Sequence, residues 1–172
     1  MRTVTRVSTF VGPLHIVWDD EALGVDADGR ICRGAVTRSW FGDAQVVHGP
    51  KVVKRPSGDL KAIVDAIARW NAGDPNALNP VPVLQVGSEF RQRVWQALRS
   101  VPGGDVITYQ ELAKRAGNPA AVRAVGTAMA VNAVAPFVPC HRVVKTGGEI
   151  GNYAYGSEMK VAMLQREGLI VD

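Results

Sequence analysis

Apolar and polar residues alternate along the first part of the chain and recur at helical spacing further on. From Thr3 to Val17 the alternation predicts a β-hairpin, interrupted by a turn at Val11-Gly12-Pro13. Ala22-Leu23-Gly24-Val25 and Gly29-Arg30-Ile31-Cys32 predict further short strands, separated by Asp-rich turns. Ser57 to Asn71 places Leu60, Ile63, Val64 and Ile67 on one helical face, and Gly73-Asp74-Pro75 ends that helix. Between Asp74 and Gly87 the chain is proline-rich and nearly uncharged, which puts a link there between two domains, residues 1–80 and 81–172.

The stretch from Thr108 to Asn132 predicts a helix-turn-helix. Thr108-Tyr109-Gln110-Glu111 has the form of a capping box. Leu112, Ala113 and Ala116 continue an apolar face, and Gly117 is placed to end the helix in a left-handed conformation. Asn118 as N-cap and Pro119 at the first helical position then start a second helix running to Ala130. Val122, Val125 and Met129 share one face of it, and nearly every other residue is small. Two readings fit such a helix. It suits close approach to a narrow groove of DNA, with Arg123 as the one reaching side chain, or tight packing inside a core.

Composition adds a mild bias. The 172 residues carry a net charge of +4 and a pI near 9.3, which favours nucleic acid electrostatically. Arg91, Arg93, Arg99, Lys114, Arg115 and Arg123 gather in the second half, where Arg91 and Arg99 are expected simply to solvate helix faces. No apolar run is long enough to cross a membrane, and the N-terminus lacks the apolar core of a signal peptide. Two cysteines, Cys32 and Cys140, suit a reducing compartment and are expected to be free thiols in a cytoplasmic protein. Neither they nor His15, His48 and His141 show paired metal-ligand spacing, so no metal and no cofactor are expected. His15 reads as a core or edge histidine of its strand.

The chemistry concentrates in Pro139-Cys140-His141-Arg142-Val143, flanked by apolar residues on both sides. A cysteine attacks as thiolate, so it needs a neighbouring base or positive field. His141 and Arg142 are candidates for both. A buried structural cysteine beside an unrelated histidine is the plainer reading, since adjacency in sequence does not bring side chains together.

These segments resemble the 6-O-alkylguanine-DNA alkyltransferases. The likeness runs through Phe90-Arg91-Gln92-Arg93-Val94-Trp95, Val101-Pro102-Gly103-Gly104, Thr108-Tyr109-Gln110-Glu111-Leu112-Ala113, Arg123-Ala124-Val125-Gly126 and Asn132. It continues through Pro139-Cys140-His141-Arg142-Val143, Gly151-Asn152-Tyr153 and Glu167-Gly168. The resemblance implies an α/β (α+β) fold. A ribonuclease-H-like N-terminal domain would precede a mostly helical, winged-helix-like C-terminal domain carrying the helix-turn-helix. It implies repair of 6-O-alkylguanine in double-stranded DNA by transfer of the alkyl group to Cys140, once per molecule. His141 would act as base through a water, with Glu167 orienting it. Tyr109 would donate a proton to the departing guanine and help rotate the phosphate. Arg123 would fill the gap left by the flipped base, while Ala120, Ala124 and Gly126 let the helix sit deep in the minor groove. Asn132 would be a hinge between that helix and the cysteine segment, or an ordinary helix cap. A monomer is expected, associated with the nucleoid when on DNA.

The substrate pocket implied by the resemblance draws on Pro139, Val143, Tyr153, Ala154 and Tyr155. A glycine commonly stands in the family where Tyr155 is, so the ring is expected to narrow or cover the pocket mouth and restrict bulky groups such as benzyl. Ala133 and Ala135 replace prolines often found in this segment, with Pro136 shifted by one place. Two other functions remain open on the residues alone: a Cys-His hydrolase, which would turn over, and a protein that recognises lesions without transfer.

Overall fold

The alternating segment folds as three antiparallel strands, β1 (Arg2–Thr9), β2 (Gly12–Val25) and β3 (Ile31–Phe41), with the short β4 (Lys51–Val52) parallel to β1. Their order across the sheet is β3-β2-β1-β4. The computed structural model describes residues 1–42, 51–52 and 59–172, and the fold is α+β. Pairing in the first hairpin runs out to Thr9↔Gly12, so the turn is Phe10–Val11 rather than Val11-Gly12-Pro13. Gly12 opens β2 at φ 111°, a conformation that glycine supports at no steric cost. The separate strands expected at Ala22–Val25 and Gly29–Cys32 are instead the end of β2 and the start of β3, paired through Gly24↔Cys32. A bulge between Asp19 and Leu23 shifts the register there, so the polar residues that read as a turn interrupt the pattern without ending the strand.

Leu14, Ile16 and Trp18 alternate along β2 into the core. The Trp18 indole lies directly against Gly34 of β3, where a Cβ would come within 2.2 Å of the ring. Onto this sheet packs α1 (Asp59–Asn71), burying Leu60, Ile63, Ala66, Ile67 and Trp70, with Val64 at the margin. The first residues expected in this helix, Ser57 and Gly58, lie outside the described residues, as does His48. Asn71 fastens its C-terminal end to the hairpin, donating to Ser8 O (2.9 Å) and accepting from Phe10 N (3.2 Å).

The proline-rich link is built into the structure. Val83 exchanges backbone hydrogen bonds with Val25, while Val36 N donates to Pro82 O and Leu84 N to Val36 O. Ala77, Leu78, Val81 and Val83 are buried, and one apolar cluster runs from the sheet through them to α2 (Glu89–Arg99) and beyond. Arg99 does not solvate a helix face. It is 3% exposed and donates to the carbonyls of Val25 (2.5 Å), Leu78 (3.5 Å), Asn79 (3.2 Å) and Val81 (2.8 Å). Burial lowers its pKa to about 10, countered by Asp26, so the guanidinium stays charged at neutral pH.

Beyond α2 come β5 (Ile107–Thr108), α3 (Tyr109–Arg115), α4 (Val122–Ala130), β6 (Val143–Val144) and α5 (Ser157–Arg166). Thr108 caps α3, its hydroxyl accepting from Glu111 N at 3.1 Å, but the Glu111 carboxylate faces Arg115 and Lys114 rather than closing the box. Gly117 ends α3 at φ 87°, and Asn118 N reaches back to Ala113 O. The second helix starts at Val122, later than the sequence suggests, because Asn118 builds a turn. Its side chain accepts from Ala120 N and its carbonyl from Ala121 N, so Asn118-Pro119 forms the connection. On α4 the buried face is Val125, Ala128 and Met129, while Val122 is turned outward.

Arg99→Ala would strip the carbonyls of Val25, Leu78 and Asn79 of a second donor. It would leave the buried Val81 O with none among the described residues, at about 1–3 kcal/mol for such a group. A loss of roughly 3 kcal/mol of unfolding free energy is expected from denaturant titration. A loss below about 0.5 kcal/mol, the range of surface substitutions, would contradict this role.

Candidate active site

Two short strands bring the motif residues together. β5 and β6 pair in parallel, Ile107↔Val143 and Thr108↔Val144. Tyr109 follows β5 directly, and the single 3-10 turn Cys140–Arg142 directly precedes β6. The parallel register carries Tyr109 to the Lys145 end of β6, and from there its side chain reaches into the space on which Cys140 opens. Both residues line one cavity of about 750 Å³, together with Val122, Gly126, Met129 and Ala130 of α4 and Lys145, Asn152, Tyr153 and Ala154. The small face of α4 is a wall of this cavity.

Cys140 is 7% exposed. Burial pushes its thiol up in pKa, while a hydrogen bond from Asn132 and the charge of Lys160 pull it down. Asn132 Nδ2 donates to Cys140 Sγ at 3.2 Å and to Val138 O at 2.9 Å. Asn132 is not the cap of α4; that position is Val131. Cys32, on β3, and Cys140 are free.

His141 is buried, its Nε2 lying 2.8 Å from Glu167 Oε1. Burial lowers the imidazole pKa more than Glu167 raises it, so the ring is neutral at physiological pH. With Nε2 held by the carboxylate, Nδ1 is buried and has no hydrogen-bond partner among the described residues. Arg142 turns to the same carboxylate, Nε to Oε2 (3.0 Å) and Nη2 to Oε1 (2.9 Å). Its other contacts are Val101 O and Pro75 O, both at 2.8 Å. The sequence had offered Arg142 as a positive field for the thiol; the structure spends it on Glu167, and Lys160 is the charge that acts on the cysteine. Burial alone would raise the Glu167 pKa, but His141 and Arg142 together hold it at about 2. Glu167 stands just past α5, where Gly168 at φ 93° lets the chain turn and Leu169 N bonds back to Leu164 O.

Sequence reasoning missed Lys160. It is wholly buried, and its ammonium donates to Val143 O (2.6 Å), Ile150 O (2.5 Å) and Asn152 O (3.4 Å), fastening the cavity loop to β6. Burial lowers its pKa to about 8, against a raising influence from Cys140. Its spacing carried the signal, because Lys160, Met163, Leu164 and Glu167 fall on one helical face. Burial, and then negative charge at Cys140, raise the pKa of Tyr109, which keeps that phenol protonated.

Of the expected pocket residues, Tyr153 and Ala154 line the cavity and Pro139, Val143 and Tyr155 do not. Val143 is fully buried, and Pro139 is buried behind the cysteine turn. The Tyr155 ring is not part of the lining of the cavity it was expected to narrow. It packs edge-on against Phe41 of β3 and against Tyr153, with centroids 5.2 and 5.6 Å apart, and lines a separate cleft with Asn132. Arg123, Ala120 and Ala124 are exposed outside the cavity, on α4 and the turn before it. The segment with the replaced prolines is buried from Val134 to Val138 and is held to β3 by Ser39, which bonds Ala133 O and Ala135 O. Among the described residues, no group of histidine, cysteine and carboxylate side chains could hold a metal ion, and no helix is long and apolar enough to cross a membrane.

Fold and site together define a protein with a buried cysteine that opens on a cavity beside a helix-turn-helix. Residues 89–169 match the family model described as 6-O-methylguanine DNA methyltransferase, DNA binding domain. The methylated-DNA–protein-cysteine methyltransferase of Methanosarcina acetivorans is 48% identical over 159 residues, covering 92% of this chain and 93% of that protein. The bifunctional transcriptional activator/DNA repair enzyme Ada of Escherichia coli is 43% identical over 103 residues, and the match spans 60% of this chain but only 28% of Ada. Among solved structures, Mycobacterium tuberculosis OGT in complex with DNA superposes with a TM-score of 0.73 at 27% identity, covering 96% of this chain and 92% of that chain. The chain belongs to the methylated-DNA–protein-cysteine methyltransferase family.

The buried acid–base set makes stability fall with acid. Glu167 is depressed from 4.5 to about 2, so its contribution is full above pH 4.5 and lost as pH falls through 2. His141 is depressed below 6.5, so charging it at lower pH also favours unfolding. Urea titrations should show wild-type stability falling across this window. Glu167→Gln should begin about 3 kcal/mol lower and lose less between pH 4.5 and 2. Parallel pH curves for the two proteins would refute the assignment.

Proposed function

We propose that this protein repairs 6-O-alkylguanine in double-stranded DNA by moving the alkyl group irreversibly onto Cys140. The observation that carries the proposal is a buried thiol opening on a cavity, next to a neutral histidine fixed by a carboxylate. Family membership supports it, as does the complex of the Mycobacterium tuberculosis relative with DNA.

The α4 face enters the minor groove, where Gly126 and Ala124, with Ala120 in the turn before it, permit close approach. Arg123 replaces the flipped base in the stack. The extruded guanine occupies the cavity between α4 and the loop around Tyr153 and Ala154. His141, through water, takes the thiol proton at Nδ1, and Glu167 steadies the imidazolium that forms. Sγ attacks the alkyl carbon in line, the S–C bond forming as the C–O bond breaks. Tyr109 gives its proton to the departing guanine and is reprotonated afterwards, so the net products are a thioether and guanine. No group restores the thiol, and each molecule reacts once. The protein acts as a cytoplasmic monomer, nucleoid-associated when on DNA, with no cofactor.

Incubation with a duplex carrying 6-O-methylguanine should add the mass of one methyl group, mapped to Cys140 and absent from Cys140→Ala. His141→Ala should slow transfer by on the order of 10²-fold. Binding without an adduct would indicate a lesion-recognition protein. Turnover of an ester or amide with no stable adduct would indicate a hydrolase.

A further inference from the structure

The hydrogen bond that reaches the Cys140 sulfur starts in the domain link. Gln85 lies in the segment between Val83 and Gly87 and is buried, 7% exposed. Its Oε1 accepts from Ala133 N at 3.0 Å, and its Nε2 donates to Asn132 Oδ1 at 3.2 Å. The backbone donor at Ala133 settles which end of the Gln85 amide is oxygen, because an N–H can only face an acceptor. The Asn132 amide is oriented to match, by backbone groups as well as by Gln85. Its Oδ1 receives Gln85 Nε2 and Val134 N (3.2 Å), which leaves Nδ2 to donate to Val138 O and Cys140 Sγ. Gln85 is itself anchored, since Gln92 of α2 donates to its carbonyl at 2.7 Å and the link before it is paired with β3.

We propose that Gln85 is a positioning residue for the nucleophile: as the side-chain donor to Asn132 Oδ1, beside Val134 N, it holds and polarises the amide whose N–H faces the Cys140 sulfur. An N–H at that place stabilises the thiolate, whereas a carbonyl oxygen would oppose it. Every link is an oriented amide, so each bond polarises the next. Nothing in the chemistry of the cavity requires a glutamine in the link; its contribution reaches the sulfur only through Asn132. The inference rests on Cys140 being the reactive group, and it holds whichever electrophile the thiol meets.

The test is the pH dependence of Cys140 alkylation by iodoacetamide, followed by peptide mass in a Cys32→Ser background. Other titratable groups facing the thiol are Tyr109 from α3, Tyr153 and Tyr155 from the loop, Lys160 from α5, and the neighbouring His141 with Glu167. All remain in every variant, so they shift the profiles in common. Gln85→Met, which removes both bonds, and Gln85→Glu, nearly isosteric and lacking the donor, should each raise the reactivity midpoint by about one pH unit, a tenfold loss at neutral pH. Asn132→Ala should do the same, and the Gln85→Met/Asn132→Ala pair should add no further shift, the mark of residues acting in series. Rates above the midpoint should converge on wild type. An unchanged midpoint, a rate loss equal at every pH, or additive shifts would overturn the proposal. Methyl transfer from 6-O-methylguanine duplex is measured alongside: a shifted iodoacetamide midpoint with no methyl transfer by wild type would sink the repair reading and leave this one standing.

Discussion

The second half of the molecule depends on one buried carboxylate. Glu167 receives His141 on one side and the guanidinium of Arg142 on the other, while Arg142 also reaches the carbonyls of Val101 and Pro75. A charge in this setting is tolerable only because it is matched and saturated with hydrogen bonds. Those bonds tie together the end of α5, the cysteine turn, the loop after α2 and the start of the link. Removing the carboxylate would therefore free a cation in the interior and release the histidine at the same moment. Structure and the proposed chemistry use the same side chain here, so on that proposal neither can be altered alone.

Which parts of this were legible in the sequence follows from the range of the interactions. Local signals read well. The Thr108 cap, the Gly117 stop and the apolar stripe of α1 are set by residues a turn apart. Misreadings occurred where a polar residue had two local uses. Asn118 could cap a helix or build a turn, and it builds a turn. Asp19 and Asp20 resembled a strand end and lie at a bulge. The pairing of β5 with β6, which brings Tyr109 and the Cys140 turn to one cavity, spans a separation at which no periodicity survives. The family resemblance supplied the pairing of His141 with Glu167, but not the second ligand of that carboxylate, Arg142.

Charge on an apolar stripe was the signal left unread. Arg99 and Lys160 each stand at buried helical positions, and each ends on a cluster of backbone carbonyls. Both do the work of a cross-link. Arg99 joins β2 to the link and α2, and Lys160 joins β6 to the cavity loop. Tyr155 likewise looked like an obstruction when it was read against a glycine in relatives. Its ring instead bridges the loop to Phe41 of the sheet, so the cavity loop is braced from both directions.

The Cys140 sulfur belongs to the same continuous apolar cluster that holds the sheet, the link and the helices together. Chemistry at that atom is thus a change to the interior of the protein. On the proposed reaction, each repaired base rewrites one core residue after folding, from cysteine to an S-alkylcysteine whose size is chosen by the damage and not by the gene. A single coding sequence then yields a family of interiors, one for each alkyl group encountered, and the spent molecules carry in their packing a record of what the DNA had suffered.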